Sequence, residues 1–170
     1  MKNITITLYS FDELNEQAKR KALNKLSDIN VSDDWWGGVY EDAKRIGLKI
    51  TGFDLYEKQI TGKFILNPEV VVDKIVQEHG ANCETYKTAK KFISNLEKIE
   101  SKFTGEEDDR ERNFEIEELE DIFLKSLLTN YLTMLKTDFE YLTSEVAIIE
   151  TIESNDYMFE EDGTLTKYKL

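Results

Sequence analysis

Cysteine, proline and histidine each occur once in this chain, and each scarcity closes a class of function. Cys83 has no partner for an internal disulfide, which fits a reducing cytosol. His79 is the single imidazole. Structural zinc needs four ligands, and a Cys–His nucleophile pair needs an orienting group and an oxyanion site that nothing nearby supplies. No run of about 18 apolar residues exists, so no membrane span is expected. The opening "MKNITITLYS" carries neither the apolar core nor the cleavage site of a signal peptide. Glycine-rich phosphate loops and the G-x-S-x-G, H-E-x-x-H and C-x-x-C patterns are missing. These absences predict a cytoplasmic, non-enzymatic protein with no metal and no cofactor.

What the chain has in excess is negative charge, unevenly placed. Met1 to Gly105 holds 16 basic and 16 acidic residues, whereas Glu106 to Asp162 holds 19 acidic and 4 basic. The second stretch therefore carries a net −15 within a chain of net −13. Such a surface repels nucleic acid and anionic membrane and attracts basic partners. An apolar content of 40%, with nine Phe and eight Tyr, suffices for a folded core in 170 residues. One domain is expected. A charge-neutral α+β half covers 1–80, a helical half covers 81–156 with a charged loop near 104–113, and a terminal hairpin covers 157–170.

Hydrophobic periodicity predicts the elements. "ITITLY" alternates at period two and reads as a strand from Ile4 to Tyr9. Ser10 and Glu13 have capping-box spacing, opening a helix to about Ser27 with Phe11, Leu14, Ala18, Ala22 and Leu26 on one face. Ser32 or Asp33 is the expected cap of a second helix ending at Ile46, with Gly47 in the C′ position. "LKITGFDLY" and "QITGKFIL" read as a hairpin turning at "EK". Asn67-Pro68 opens a helix closing at Gly80. Ala89, Phe92, Leu96, Ile99 and Phe103 form the seam of the next. Thr104 to Asn113 reads as a charged loop. Phe114 to Ser154 lacks glycine and proline, and "LTSE" splits it into a long helix and a shorter one. The stripe of the pair runs through Leu128, Tyr131, Leu135, Phe139, Leu142, Val146 and Ile149. The tail "YMFEEDGTLTKY" predicts a hairpin at Asp162-Gly163. The expected class is α+β: a small antiparallel sheet (N-terminal strand, hairpin, C-terminal hairpin) with a predominantly helical, acidic C-terminal half.

Two stretches stand out as candidate contact surfaces. In "SDDWWGGVYEDA", neighbouring residues on a helix point about 100° apart, so Trp35 and Trp36 cannot share one core. Trp36, Val39, Tyr40 and Ala43 make the apolar face, and Trp35 covers a flank or stands exposed. Gly37 and Gly38 weaken a helix by roughly 1 kcal/mol each, which suggests an irregular first turn or a close backbone approach. Asp33, Asp34, Glu41 and Asp42 lack calcium-loop spacing. Helix capping for the first two and solvent exposure for the second two is the expected account. The second stretch places ten carboxylates between Glu106 and Asp121. Ile116, Leu119, Ile122 and Phe123 keep an apolar stripe on its helix, leaving Glu106, Glu107, Asp108, Asp109, Glu117, Glu118, Glu120 and Asp121 to face a basic partner.

"YSFDELNEQAKRKALNK", "DDWWGGVYEDAKRIGLKI", "EHGANCETYKTAKKF" and "YLTSEVAIIETIESNDYMFEEDG" resemble a group of small acidic proteins encoded by bacteriophages and prophages of gut bacteria. The resemblance covers most of the chain, and Gly37-Gly38 departs from it, since bulkier residues are expected there. The group brings no established activity and no catalytic residues. By analogy, it implies a phage accessory protein that binds and inhibits a host or defence protein, such as a restriction or CRISPR nuclease, without touching nucleic acid or membrane. A second reading is a sponge for a signalling nucleotide, in which Trp35, Tyr40, Lys44 and Arg45 supply stacking and phosphate contacts. A third is a structural phage protein that self-associates through the seam from Ala89 to Phe103.

Overall fold

The structure is a computed structural model that describes residues 6–103 and 109–166. Six helices and one two-stranded antiparallel sheet form within them, an α+β fold. The helices are α1 (Glu16–Lys25), α2 (Gly37–Arg45), α3 (Pro68–Glu78), α4 (Glu84–Lys102), α5 (Asp109–Leu142) and α6 (Glu145–Ser154). The strands, β1 (Leu48–Asp54) and β2 (Gln59–Phe64), lie between α2 and α3. No helix among the described residues is long and apolar enough to cross a membrane. The chain divides into two compact units, one of residues up to Trp35 with those from Thr137 onward, the other Trp36–Lys136.

The first unit joins the two ends of the chain. Phe11, Leu14, Ala18 and Ala22 pack with Ile148, Ile152 and Phe159 in one buried cluster. The Ser10–Glu13 contact forms, with the Ser10 N–H donating to Glu13 Oε2 at 2.8 Å, but it closes a turn rather than starting a helix. α1 begins later because Asn15 Oδ1 accepts from the Ala18 N–H at 3.0 Å, a side-chain cap that fixes the first helical turn there. The helix stops at Lys25, two residues short of Ser27.

The expected N-terminal strand is corrected. Ile4 and Thr5 lie outside the described residues, Ile6 to Leu8 are not strand, and Tyr9 alone makes a bridge, to Phe159. Ile6 is 47% exposed, so the period-two pattern has no buried face to serve. The tail does turn back at Asp162-Gly163, bridging Phe159 to Leu165, and so pairs with the N-terminal segment. α6 starts on Ser144, whose Oγ accepts from the Ala147 N–H. Val146 is exposed, contrary to the stripe expected through it, and Ala147 and Ile148 are buried instead. The break at Thr143 and Ser144 resets the helical phase.

The second unit holds the hairpin and the longest helical packing. Gly47 (φ 93°) ends α2 in the left-handed conformation expected of a C′ glycine. β1 and β2 pair from Leu48↔Phe64 to Asp54↔Gln59, with a register shift between Ile50 and Gly52. The Asp54 carboxylate accepts from the Glu57 N–H at 2.8 Å and closes the turn. Asn67 caps α3 as expected. On α4, Ala89 and Phe92 are buried, and the Phe92 ring lies 4.6 Å from that of Phe123 on α5.

α5 starts earlier than the charged-loop reading allows. Thr104 to Asp108 lie outside the described residues, whereas Asp109 to Asn113 are helical. No helix breaker follows Gly105, and Asp109 and Glu111 sit in the first turn, where the helix dipole favours carboxylates.

Two outcomes follow from the tail turn. Gly163 has φ 83°, and a Cβ there would lie 2.2 Å from the Ala18 carbonyl oxygen on α1. Gly163→Ala therefore lowers stability by roughly 2–4 kcal/mol, measured by urea denaturation; an unchanged midpoint would show that the turn does not pack on α1. Asp162 accepts from Lys21 Nζ and from the Thr164 N–H, and these bonds pull its carboxyl from 3.8 down to about 2. A folded value below the unfolded one means stabilisation that is complete above about pH 4 and fades as pH falls through about 2. Carbon NMR of the Asp162 carboxyl checks this, and a midpoint near 3.8 would refute it.

Candidate functional site

The acidic surface stands on the first half of α5. Glu117, Glu118 and Asp121 are exposed, as is Asp109 at the helix start, while Glu106, Glu107 and Asp108 lie outside the described residues. Glu120 is half-buried, and its carboxyl is pushed above the usual range by burial and then by Glu117, Glu69 and Asp121. Leu119 and Phe123 turn into the core, and Ile116 is half-buried. Ile122 does not follow them: it is 58% exposed, and Phe114, two turns earlier, is 59% exposed. Ile122 lies about 100° from Phe123 around the helix, at the edge of the side that enters the core. The face thus presents an aromatic ring and an aliphatic side chain among carboxylates.

The tryptophan stretch resolves into two separate anchors. The Trp35 ring is half-buried, 5.5 Å from Phe139. The Trp36 and Tyr40 rings lie 5.8 and 6.2 Å from Phe53. Val39 and Ala43 are buried as expected. Neither Ser32 nor Asp33 caps α2: Trp36 is its N-cap, with no side-chain capping bond. Holding the two rings on their own aromatic neighbours delays the helix to Gly37. A Cβ at Gly38 would meet nothing within 4 Å, so no close approach by the folded chain requires glycine there. Lys44 and Arg45 are exposed on the last turn of α2. Arg45 is engaged by carboxylates on both sides, Asp42 and Glu78, the latter at 3.2 Å.

That arginine belongs to a polar cluster invisible in the sequence. Asp42 was expected in solvent but is half-buried and bonded on both oxygens. Its Oδ1 accepts from Arg45 Nη2, and its Oδ2 accepts from the Tyr131 hydroxyl at 2.9 Å. His79 Nε2 lies 3.7 Å from the same Oδ2, beyond hydrogen-bond reach. The other ring nitrogen, Nδ1, shares a 2.6 Å hydrogen bond with Thr85 Oγ1. Tyr131 is fully buried, and burial together with the Asp42 charge drives its phenol far above the ordinary tyrosine range. No sequence signal marks this group: Asp42 and Tyr131 are 89 residues apart.

Hydroxyl, imidazole and carboxylate stand in the order of a nucleophilic triad, but the geometry is not one. Thr85 has no exposed surface, so its hydroxyl cannot reach a substrate. The Asp42 cluster instead ties α2, the end of α3 and α5 together, and the His79–Thr85 bond separately joins the end of α3 to α4. Among the described residues, no three His, Cys, Asp or Glu side chains converge to hold a metal ion.

The cluster yields a measurable asymmetry. Tyr131→Phe removes one hydrogen bond and costs roughly 1 kcal/mol, whereas Asp42→Ala strands a buried phenol and costs roughly 2–3 kcal/mol. The double substitution costs less than the sum, because both changes remove the same bond. Additive denaturation midpoints would show that the two side chains do not interact. No protein-family model, curated protein or solved structure matches this chain.

Proposed function

We propose that this protein is a non-enzymatic phage accessory protein that works in the cytoplasm of its bacterial host. It binds and inhibits a host or defence protein, such as a nucleic-acid-cleaving enzyme with a basic groove, through the acidic face of α5. The observation that carries this reading is the mixture on that face: Phe114 and Ile122, both more than half exposed, stand among Glu117, Glu118 and Asp121. A helix face that serves only solubility has no use for two large apolar side chains in water. At an interface, an aromatic anchor supplies affinity while carboxylates supply orientation and fast association. The resemblance to phage-encoded proteins and the net −15 from Glu106 to Asp162 point the same way.

The test is capture from lysate of a natural host, followed by an assay of the captured enzyme. A basic nucleic-acid-binding protein should be retained at moderate salt and inhibited. Glu117→Lys with Glu118→Lys should weaken retention at least tenfold and flatten its salt dependence; Phe114→Ala should weaken it at every salt concentration. Retention that none of these changes alters would refute the reading.

A further inference from the structure

We infer that the outer edge of β2 accepts an extended acidic peptide as a third strand, a second binding surface beyond the proposed acidic face. The sheet has two strands, so one edge of β2 has no strand beside it among the described residues. The Ile65 N–H donates to the Gly47 carbonyl at 2.9 Å, which sets the alternation of the antiparallel ladder. Lys63, Thr61 and Gln59 then turn their backbone groups toward β1, while Phe64, Gly62 and Ile60 turn theirs outward. The register shift falls on β1, between Ile50 and Gly52, and leaves this alternation on β2 unbroken.

Of those outward residues Ile60, with Gln59 and Thr61 beside it, lines a groove of about 650 Å³ between β2 and α5. Leu128 and Leu132 of α5 and Ile60 of β2 give it an apolar lining. Lys58, Lys125 and Lys136 also line it, and no carboxylate does. In a chain of net charge −13, Lys58 and Lys125 in a groove with no acid among its lining residues make a local contrast of charge. An added strand matches these features: its backbone pairs with the ladder edge, side chains on its inner face meet the leucines, and a carboxylate toward either end reaches Lys58 or Lys125. A second copy of this chain joined edge to edge would bring lysines against lysines, which opposes it. A nucleic acid would satisfy the lysines and leave the ladder edge and the leucines unused.

The test is fluorescence polarisation of the full-length protein with four labelled probes. They are an eight-residue peptide alternating Glu and Val, its Lys and Val counterpart, the acidic peptide N-methylated at alternate residues on its pairing edge, and an oligothymidylate of eight nucleotides. Binding of the acidic peptide alone is expected, with slowed amide exchange at Ile60 and Gly62. Lys58→Glu with Lys125→Glu should weaken it at least tenfold, and the milder Lys125→Gln severalfold. The proposal is overturned if the acidic peptide fails to bind, if the basic or N-methylated peptide binds as well, if the oligonucleotide binds instead, or if the slowed amides lie off β2.

Discussion

The helices of the larger unit depend on one half-buried carboxylate. Asp42 holds the Tyr131 hydroxyl with one oxygen and Arg45 with the other, and Arg45 passes the connection to Glu78. A hydrogen bond to a charged group is worth roughly 1.5–3 kcal/mol, and its loss inside a packed site exceeds its gain. Apolar packing around it sets which residues are buried. The carboxylate adds direction, because only one placement of α2 against α5 brings Oδ2 to 2.9 Å from the phenol. Beside it, a separate hydrogen bond between His79 and Thr85 joins the end of α3 to α4.

α5 carries two surfaces of opposite sign. Its early turns present Glu117, Glu118 and Asp121, and its later turns border the lysine-lined groove. At 1.5 Å per residue, Asp121 of the acidic face and Lys125 of the groove are about 6 Å apart along the helix. That is within the roughly 8 Å over which exposed charges sense one another at physiological salt, so the two surfaces adjoin where Asp121 gives way to Lys125. The net charge of the chain therefore misdescribes what a partner meets locally.

Much of the local architecture was legible in the chain. Asn67-Pro68, Gly47, Ser144 and Asp162-Gly163 act within a few residues of themselves, and the structure places a cap or a turn at each. Local signals failed where a competing partner was near or distant contacts intervened. The Ser10–Glu13 pair formed its bond but lost the helix start to Asn15. Ser32 and Asp33 lost theirs to the aromatic neighbours of Trp35 and Trp36. Ile122 and Val146 fit an apolar period, yet both are more than half exposed, because which flank of a helix meets the core is set by the elements packed on it.

By itself, the sequence determined the α+β class, the hairpin, the split between α5 and α6, and the acidity of the region after Gly105. Each follows from spacing, capping or composition, which are properties of neighbouring residues. Only the tertiary structure decided that Asp42 meets Tyr131, that Arg45 is held by two carboxylates, and that lysines far apart in the chain line one groove. Such pairings depend on how helices and strands pack, and packing joins residues whose separation along the chain carries no signal.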